Sequence, residues 1–224
     1  RNDVAIVEDA AQALGGRWRG KPLGTIGRIG CYSFFPSKNL GCFGDGGAVV
    51  TRDADLADRL RLLRNQGRRR PYHHEVIGMN ARLDALQAAI LQVKFQHLAR
   101  WTAKRQANAA CYQRLFHECA LDERLTVPVV ASGNRHVYNQ FTIRTPQRDE
   151  LSAYLTRHGI GNRIYYPVPL HLQECYQALG YQKGDFPVSE QLSQEVLSLP
   201  IYPELTQDQL QYVVDMIKAF FDRH

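Results

Sequence analysis

The sequence predicts an α/β protein in two parts, a mostly parallel sheet with its helices followed by a small α+β domain. Short apolar runs alternate with helical patterns in the first part, and shorter strand and helix patterns fill the second. Between them, a helical pattern over residues 81–116 is long enough to link two domains. We therefore assign residues 1–100 to the larger domain and residues 101–224 to the smaller one.

The first expected element is the continuous apolar run Val4–Val7, which ends in the acidic pair Glu8-Asp9. Such a run predicts a buried strand of a parallel sheet, and ligands bind beyond the carboxyl ends of these strands. Because parallel strands need long crossover connections, this strand should have flanking elements that the sequence does not contain. The chain is therefore expected to be truncated at its N-terminus.

The larger domain continues with a strand, a polar turn, a second strand and two helices. They are expected at Gly30–Phe35, Pro36–Asn39, Gly44–Thr51, Asp55–Asn65 and Ala81–Phe116. Gly67 follows the shorter helix, at a position where a left-handed residue is favoured. The longer helix is expected to break near His97.

The smaller domain is expected to hold two strands and two helices. The strands are expected over His136–Arg144 and Ile164–Val168, and the first helix over Arg148–His158. The last helix begins with the capping-box pattern of Thr206 and Gln209. Its spacing predicts one buried face, made of Leu210, Val213, Val214, Ile217 and Phe221.

Charge and hydropathy argue against two classes of partner. The net charge of +6 favours anions, and the densest basic run is Arg59, Arg61, Arg64, Arg68, Arg69 and Arg70. Three of these arginines alternate with leucines on the expected helix, which indicates a solvated helix face, so nucleic acid is not an expected partner. No apolar run approaches the roughly 20 residues of a membrane-spanning helix, so no membrane partner is expected either.

The five cysteines are odd in number and widely scattered, at Cys31, Cys42, Cys111, Cys119 and Cys175. None forms the close pair that is typical of metal-binding or redox motifs. Free cysteine packs well as a small hydrophobic residue and needs no chemistry to be retained. The sequence therefore predicts a cytoplasmic protein without a metal site.

The turn at Lys38 has the parts needed to present a lysine for imine formation. Pro36 constrains the backbone before Lys38, and Ser33 offers a hydroxyl to a phosphate. Taken alone this is weak evidence, because a lysine in a loop is usually a surface charge. Asp9 strengthens it, since an acid at a strand end can keep a pyridine nitrogen protonated, although a helix N-cap is an alternative role. Gln12 would reach the same ring system.

Several motifs follow one another along nearly the whole chain. They are Val7–Ala13, Ser33-Phe34 with Lys38-Asn39, Gly44–Gly47, Gly78–Asp84 with Gln87–Ala89, Tyr166–His171, and Leu197–Pro200 with Tyr202-Pro203. In order and spacing they resemble the DegT-type sugar aminotransferase family. The resemblance implies the C-terminal part of the large domain of a fold-type-I transferase that uses pyridoxal 5'-phosphate, followed by the small domain.

The resemblance also implies a role for each candidate site residue. Lys38 would bind the cofactor covalently, Asp9 would pair with its pyridine nitrogen, Ser33 would bind its phosphate, Gln12 would contact its ring, and Asn80 would reach the phosphate in the neighbouring subunit of a homodimer with shared active sites. Tyr165, Tyr166 and His171 would lie near the sugar, and Arg82 would contact an anionic substrate group. Structural roles for the last four, including a helix salt bridge for Arg82, are equally open.

The implied reaction moves an amino group from an amino acid, by resemblance glutamate, to a nucleotide-linked keto-sugar. Lys38, once released, would be the general base. The stretch Tyr166–Gln173 resembles members that aminate sugar position 3. Family members carry an N-terminal portion with a phosphate-binding helix start and an aromatic residue stacked on the cofactor, so the chain alone is expected to bind the cofactor poorly and to be inactive.

Three alternatives remain beside this hypothesis. A sugar dehydratase of the same fold would be expected to carry histidine in place of Lys38. A regulatory, non-catalytic relative would be expected to lack Asp9 or Lys38, and both are present. A nucleotide-binding module is disfavoured because the glycines of Gly41–Gly47 lead into a strand, whereas the dinucleotide fingerprint leads into a helix.

Overall fold

The computed structural model describes residues 4–223, which form parts of two compact units. The first unit comprises residues 1–103 and 130–139, and the second comprises residues 104–129 and 140–224. The division falls within one long helix. No helix within residues 4–223 has both the length and the apolar character that crossing a bilayer requires.

The first unit contains most of the short strands and two complete helices. Its elements are β1 (Val7–Asp9), β2 (Arg17–Trp18), β3 (Lys21–Pro22), β4 (Ile29–Ser33), β5 (Gly47–Val50), α1 (Ala54–Arg64), β6 (Arg68–Arg70), β7 (His73–His74), α2 (Ala85–Phe95) and β8 (Asn134–Arg135). Strands β1, β4 and β5 form the sheet that carries the candidate site, in the order β1-β4-β5.

Over the described residues this sheet is mixed, with one parallel and one antiparallel pairing, whereas a mostly parallel sheet was expected for the larger domain. Strand β1 runs parallel to β4, with Asp9 opposite Cys31, whereas β4 and β5 are antiparallel, with Ser33 opposite Gly47. The reason is the connection after β4, which turns back at the same end of the sheet instead of crossing over it. That connection, residues 34–46, carries Lys38.

Strand β1, expected as a strand whose flanking elements the sequence does not contain, is exposed within the described residues. It begins at Val7 rather than Val4, and Val7 is 60% exposed. Among the described residues, β1 pairs only with β4, so it forms an edge of the sheet. An edge strand with open faces exposes even apolar side chains. The parallel pairing itself is confirmed.

The helices of the first unit follow the sequence pattern closely. Helix α1 starts after Asp53, whose carboxylate accepts the Leu56 N–H at 3.0 Å, and Gly67 beyond its end has the left-handed φ of 72°. The expected long helix is two helices, α2 and α3 (Leu98–Glu118), separated at Gln96-His97 as predicted. A small core of Leu40, Cys42, Leu91 and Leu98 packs the end of the Lys38 loop against these helices.

The second unit contains a two-stranded antiparallel sheet covered by helices. Beyond the rest of α3, its elements are β9 (Phe141–Arg144), α4 (Arg148–Arg157), the 3₁₀ turns Leu170–Leu172 and Glu174–Leu179, α5 (Pro187–Glu195), β10 (Val196–Leu199) and α6 (Gln207–Phe221). Tyr112, Phe116 and Phe141 are fully buried together. Truncating an aromatic side chain in such a core costs about 3–5 kcal/mol.

Sequence expectations for the second unit are met at α4 and α6 and fail at one strand. The capping box of Thr206 and Gln209 is present, and the predicted face of α6 is buried. The predicted strand Ile164–Val168 is absent, and only Arg163 makes a bridge, to Ser198. Pro167 and Pro169 have no N–H to donate to a ladder, which explains the loss. The strand predicted from His136 is confirmed only over Phe141–Arg144.

Candidate active site

The candidate residues of the first unit follow two neighbouring parallel strands. Asp9 ends β1 and Ser33 ends β4, while Gln12 and Lys38 lie in the turns beyond them. Ala10 N–H donates to the Cys31 carbonyl at 2.9 Å, so the pairing of the two strands continues to their ends. The structure therefore brings these four residues to one end of the sheet, beyond the carboxyl ends of β1 and β4, where ligands of open α/β sheets bind. We call this end the sheet edge.

The loop that carries Lys38 is folded tightly on itself. Lys38 N–H donates to the Phe35 carbonyl, and Cys42 N–H donates to the Phe34 carbonyl at 2.7 Å, which closes the loop. A Cβ atom at Gly41 would lie 2.5 Å from the Pro36 carbonyl oxygen, so only glycine permits this approach. Two contacts from α2 fix the far side of the loop: Lys94 Nζ donates to the Gly41 carbonyl, and Phe43 N–H donates to Gln87.

Lys38 itself remains free on this constrained backbone. Its side chain is half-buried, and its ammonium makes no hydrogen bond or ion pair with any residue of the described part, 4–223. Lys94, by contrast, uses its ammonium to hold the loop. A partly buried amine without an internal partner is available for a covalent bond to a ligand.

Ser33 and Asp9 also keep polar capacity for a ligand. Ser33 Oγ accepts the Phe35 N–H at 3.2 Å, which leaves its O–H free to donate. Asp9 Oδ1 accepts the Ala11 N–H at 3.1 Å in a turn, not at a helix start, so the alternative role of helix N-cap does not apply. Asp9 Oδ2 has no hydrogen-bond donor among residues 4–223. The serine can donate and the carboxylate can accept.

Glu8, the neighbour of Asp9, has a structural role instead. Its carboxylate accepts three backbone N–H groups, from Gly24 at 2.7 Å and from Ile26 and Gly27 at 2.5 Å. Burial alone would raise the pKa of Glu8, but these three donors outweigh it and hold the pKa below its ordinary value. Two adjacent acids thus have different tasks, Glu8 to hold the 24–27 turn and Asp9 to face outward.

Sequence reasoning missed a role for Asn39. Its Nδ2 donates to the Val137 carbonyl at 3.0 Å, while its Oδ1 is buried without a partner in the part of the chain that the structure describes. Asn139 Oδ1 is also buried without a hydrogen-bond partner among the described residues. Buried unpaired acceptors are rare in folded proteins, and each calls for a donor. The sequence motif with Lys38-Asn39 already included this residue, although it did not indicate where the side chain would lie or what it would contact.

Asn80 and Arg82 lie elsewhere in the first unit, beside the end of α1. Asn80 forms an isolated bridge with Asn65, and its Oδ1 accepts the Arg82 Nε–H at 3.0 Å. Neither residue is hydrogen-bonded to the Asp9 or Lys38 loops within residues 4–223. The structure therefore pairs Asn80 with Arg82, and this pair stands apart from the four residues at the sheet edge.

Three further candidates belong to the second unit. Tyr165 and Tyr166, joined by a cis peptide bond, line a largely apolar groove of 790 Å³. His171 lies next to this groove but is held inside the protein: Nε2 contacts Glu190 at 2.9 Å, and the two side chains are only 8% and 11% exposed. Phe186 packs edge-on against its ring. The tyrosines are thus open to a ligand, and His171 already has a partner.

Glu190 links the two walls of this groove. It accepts N–H groups from Gly184 and Phe186 as well as the contact from His171. The Gly184 N–H is the main reason that the pKa of Glu190 lies below its ordinary value, and burial opposes this effect only in part. His171 adds a further lowering. One carboxylate therefore ties the turn after Pro169 to the start of α5.

The residues at the sheet edge fit pyridoxal phosphate in their donor and acceptor chemistry. A free amine can take the aldehyde, a hydroxyl can donate to the phosphate, and a carboxylate oxygen can accept a pyridinium N–H. These are Lys38, Ser33 and Asp9, the residues that retain unmatched polar groups. Among residues 4–223, no cluster of His, Cys, Asp or Glu could hold a metal ion.

Known proteins resemble this chain over its whole length. It is 49% identical over 224 residues to a pleiotropic regulatory protein of Geobacillus stearothermophilus, covering 100% of the chain and 60% of that protein. It is 45% identical over 223 residues to the dTDP-3-amino-3,4,6-trideoxy-alpha-D-glucose transaminase of Streptomyces venezuelae, covering 100% of the chain and 58% of that protein.

A solved structure confirms the mixed α/β fold. The crystal structure of Streptomyces venezuelae DesV in complex with a ketimine intermediate matches with a TM-score of 0.93 at 44% identity, covering 99% of this chain and 59% of that one. The chain therefore spans about three fifths of the length of these relatives. The sequence profile of the DegT/DnrJ/EryC1/StrS aminotransferase family matches residues 1–218, and the chain belongs to this family.

Proposed function

We propose that the protein transfers an amino group from an amino acid, glutamate, to a nucleotide-linked keto-sugar, using pyridoxal 5'-phosphate held by Lys38. The observation that carries this proposal is the set of unmatched polar groups on Lys38, Ser33 and Asp9 at the ends of two paired parallel strands. Membership of an aminotransferase family supports the reaction class. The transaminase named above supports a nucleotide-linked sugar as substrate.

Each residue at the sheet edge has a task in this proposal. Asp9 Oδ2 accepts the pyridinium N–H and keeps that nitrogen protonated. The Ser33 hydroxyl donates to the phosphate, and Gln12 contacts the ring. When bound, the cofactor supplies an electron sink that stabilises negative charge at the carbon that loses a proton. The family resemblance assigns a phosphate contact to Asn80, from the other subunit of a homodimer.

Lys38 has a second task as the base. Once its amine is released, Nζ would move one proton in each half of the reaction. In the first half it would take the proton from the amino-bearing carbon of the donor and pass it to the cofactor carbon that holds the imine, and in the second half it would carry a proton from that carbon to the sugar carbon that receives the amino group. The closed loop around Gly41 keeps Nζ within a small volume during this exchange. Orientation of this kind accounts for a large share of the rate of an intramolecular proton transfer.

The sugar and the donor are recognised by other residues. Tyr165 and Tyr166 present rings and hydroxyls beside the groove of the second unit, which suits a sugar. Arg82 offers its terminal nitrogens to an anionic group, while its Nε–H is held by Asn80. We propose ring position 3 as the position aminated, supported by the 3-amino product named for the Streptomyces relative. A cytoplasmic location remains a prediction from the free cysteines.

A regulatory role without catalysis is the second candidate. The relative with 49% identity is named a pleiotropic regulatory protein, so family membership alone does not decide between the two. Retention of both Lys38 and Asp9 with unmatched polar groups favours catalysis. A regulator would need neither a covalent cofactor nor a proton acceptor.

The deciding experiment measures the two halves of the reaction separately. The chain is placed in a protein of the full length of its relatives, because the chain alone is expected to be inactive. That protein, loaded with pyridoxal phosphate, is mixed with glutamate, and the loss of the absorbance band of the lysine-bound cofactor is followed. A 3-keto nucleotide sugar is then added, and the aminated product is identified by mass spectrometry. We expect both halves to proceed, with glutamate faster than alanine or aspartate. A protein that holds the cofactor and yet transfers nothing from any amino acid would favour the regulatory role.

A further inference from the structure

Asn39, the residue after Lys38, joins two segments that are far apart in the sequence. Its Nδ2 donates to the Val137 carbonyl at 3.0 Å, across 98 positions of the chain. Because a carbonyl can only accept, this contact fixes which way the amide of Asn39 points. Val137 belongs to residues 130–139, the segment that follows the long helix and returns to the first unit. The Lys38 loop is therefore tied to this segment directly beside Lys38.

The segment that contains Val137 is fixed in turn to the chain that follows Asp9. The turn after Asp9 leads into β2, and β2 pairs with β8, with Arg17 opposite Arg135. A Cβ atom at Gly16 would lie 3.4 Å from the Arg135 carbonyl oxygen, so the end of the turn also lies close to β8. A path of backbone pairing and one side-chain bond therefore connects the two turns of the candidate site.

The two turns have no direct polar contact with each other. Within residues 4–223, no hydrogen bond joins the turn at 10–16 to the loop at 34–46. Leu14 packs against the core cluster that contains Leu40, but apolar contacts have no preferred direction. A hydrogen bond restricts both distance and angle. The bond of Asn39 is therefore the directional part of the connection.

Other side-chain contacts of the Lys38 loop act at its far end. Lys94 and Gln87, both from α2, hold the backbone at Gly41 and Phe43. Neither contact restrains the part of the loop next to the candidate amine. Among residues 4–223, the side-chain bond that joins this part of the loop to another segment is the one made by Asn39.

We infer that Asn39 is a positioning residue, whose amide fixes the Lys38 loop relative to the turn after Asp9 by binding the Val137 carbonyl. The inference rests on the proposed function, in which Lys38 and Asp9 act on different atoms of one planar ring. Both can do so only if their separation is held closely, since a misplacement of about 1 Å can lower a rate by about 100-fold. Asn39 itself touches neither the cofactor nor the substrates in this account.

The structure offers a matched control in the second unit. Asn108 makes the same kind of bond, from Nδ2 to the Tyr202 carbonyl at 2.8 Å and across 94 positions of the chain. Asn39→Ala and Asn108→Ala each remove one amide-to-carbonyl bond, so their melting temperatures should fall by similar small amounts. Asn39→Gln keeps the donor on a side chain that is one methylene longer. It serves as the conservative variant.

The first measurement is hydrogen exchange without cofactor, followed by mass spectrometry of peptides from residues 34–46, in the same protein of the relatives' full length. Exchange there should become about fivefold faster in Asn39→Ala, the factor expected from the loss of one hydrogen bond, and should not change in Asn108→Ala. The second measurement is amino transfer. Asn39→Ala should lower kcat by about tenfold with KM for glutamate within about twofold, because orientation is lost and not binding. Asn39→Gln should lose less, and Asn108→Ala should retain kcat within about twofold.

The outcomes separate this inference from the proposed function. The inference is overturned if residues 34–46 of Asn39→Ala exchange at the unmodified rate, or if Asn108→Ala lowers kcat as much as Asn39→Ala does. A rise in KM with kcat unchanged would also overturn it. Borohydride mapping of the unmodified protein tests the proposed function on its own. A normal adduct on Lys38 together with unaltered exchange and kcat in Asn39→Ala refutes the inference alone, whereas no adduct on Lys38 refutes both.

Discussion

The loops after β1 and β4 and the segment from Tyr165 to Glu190 both carry polar side chains beside an open surface, but the protein satisfies them differently. In the first region, Lys38 and Asp9 Oδ2 have no partner within residues 4–223. In the second, His171 and Glu190 satisfy each other and are buried. Asp9 is exposed and Lys38 is half-buried, so a ligand can reach both, whereas the buried pair of His171 and Glu190 has the matched contacts of a supporting role.

The same contrast exists between neighbouring residues. Glu8 accepts three backbone N–H groups, while Asp9, the next residue, accepts one. Lys94 donates to a backbone carbonyl, while Lys38 donates to none of the described residues. Residue type alone therefore does not distinguish a site residue from a supporting one. Matched substitutions in each pair separate the two roles, because one should alter activity and the other stability.

The largest effect is expected at the two lysines. Lys38→Ala should lower amino transfer by roughly 10³-fold or more, because it removes both the covalent anchor and the base. Its free energy of unfolding without cofactor should change by less than about 0.5 kcal/mol, since Nζ has no internal partner. Lys94→Ala should instead lose about 1 kcal/mol of stability by freeing the buried Gly41 carbonyl.

Initial rates and urea unfolding of the two variants provide the measurement. The distinction between a site lysine and a supporting lysine fails if Lys38→Ala unfolds as readily as Lys94→Ala, or if Lys38→Ala retains more than a few per cent of the activity. Either result would mean that Lys38 is part of the framework and not of the site.

The second expected effect concerns the separation of Asn80 from the sheet edge. In a homodimer with shared sites, Lys38→Ala and Asn80→Ala subunits should each be nearly inactive alone. Mixed dimers would have one doubly damaged site and one intact site, and random mixing makes half the dimers mixed, so activity should return to roughly a quarter of the unmodified value. If subunits demonstrably exchange and no activity returns, Asn80 does not serve the neighbouring subunit.

The acidic pair of β1 should give the third effect. Asp9→Asn should reduce amino transfer by roughly 100-fold while leaving stability within about 0.5 kcal/mol. Glu8→Gln should lower stability by about 2 kcal/mol, because it replaces a charged acceptor of three N–H groups with an amide. Parallel kinetics and denaturant titrations separate the two outcomes. Similar losses of stability in both variants would remove the distinction between the two acids.

The smallest effect is expected at Glu190 and depends on pH. Its folded pKa lies below the ordinary value of 4.5, so its contribution to stability is fully present above 4.5 and is lost as the pH falls through the lowered value. Glu190→Gln should therefore lower the melting temperature at neutral pH and flatten its decline in acid. Scans between pH 3 and 7 compare this variant with Glu174→Gln, an exposed control. A steeper acid decline than in the unmodified protein would contradict this.

Sequence patterns predicted most helices and the position of the sheet edge, since capping residues and helical spacing are local. The break at His97 and the cap at Thr206 are examples. The open faces of β1 and the antiparallel return of β5 depend on neighbouring strands, which local patterns do not specify. Similarly, the sequence motifs predicted both Lys38 and His171 as site residues. Only their hydrogen-bond partners in the structure distinguish the free lysine from the buried histidine.

The arginines near the end of α1 illustrate the same limit. Helical spacing grouped Arg61 with Arg64, whereas Arg68 and Arg82 come to line the same hollow through a turn and a backbone pairing, which local patterns do not specify. The solvated helix face that the sequence predicted is confirmed, because Arg59, Arg61 and Arg64 are all exposed.

The most direct measurement of the central claim is chemical labelling of the cofactor lysine. The same protein of the relatives' full length, loaded with pyridoxal phosphate, is reduced with borohydride, digested and mapped by mass spectrometry. Residues 1–224 contain six lysines: Lys21, Lys38, Lys94, Lys104, Lys183 and Lys218. We predict a single stoichiometric adduct on Lys38, with none in the Lys38→Ala variant. A cofactor adduct on another lysine, or none when the cofactor is bound, would contradict the account.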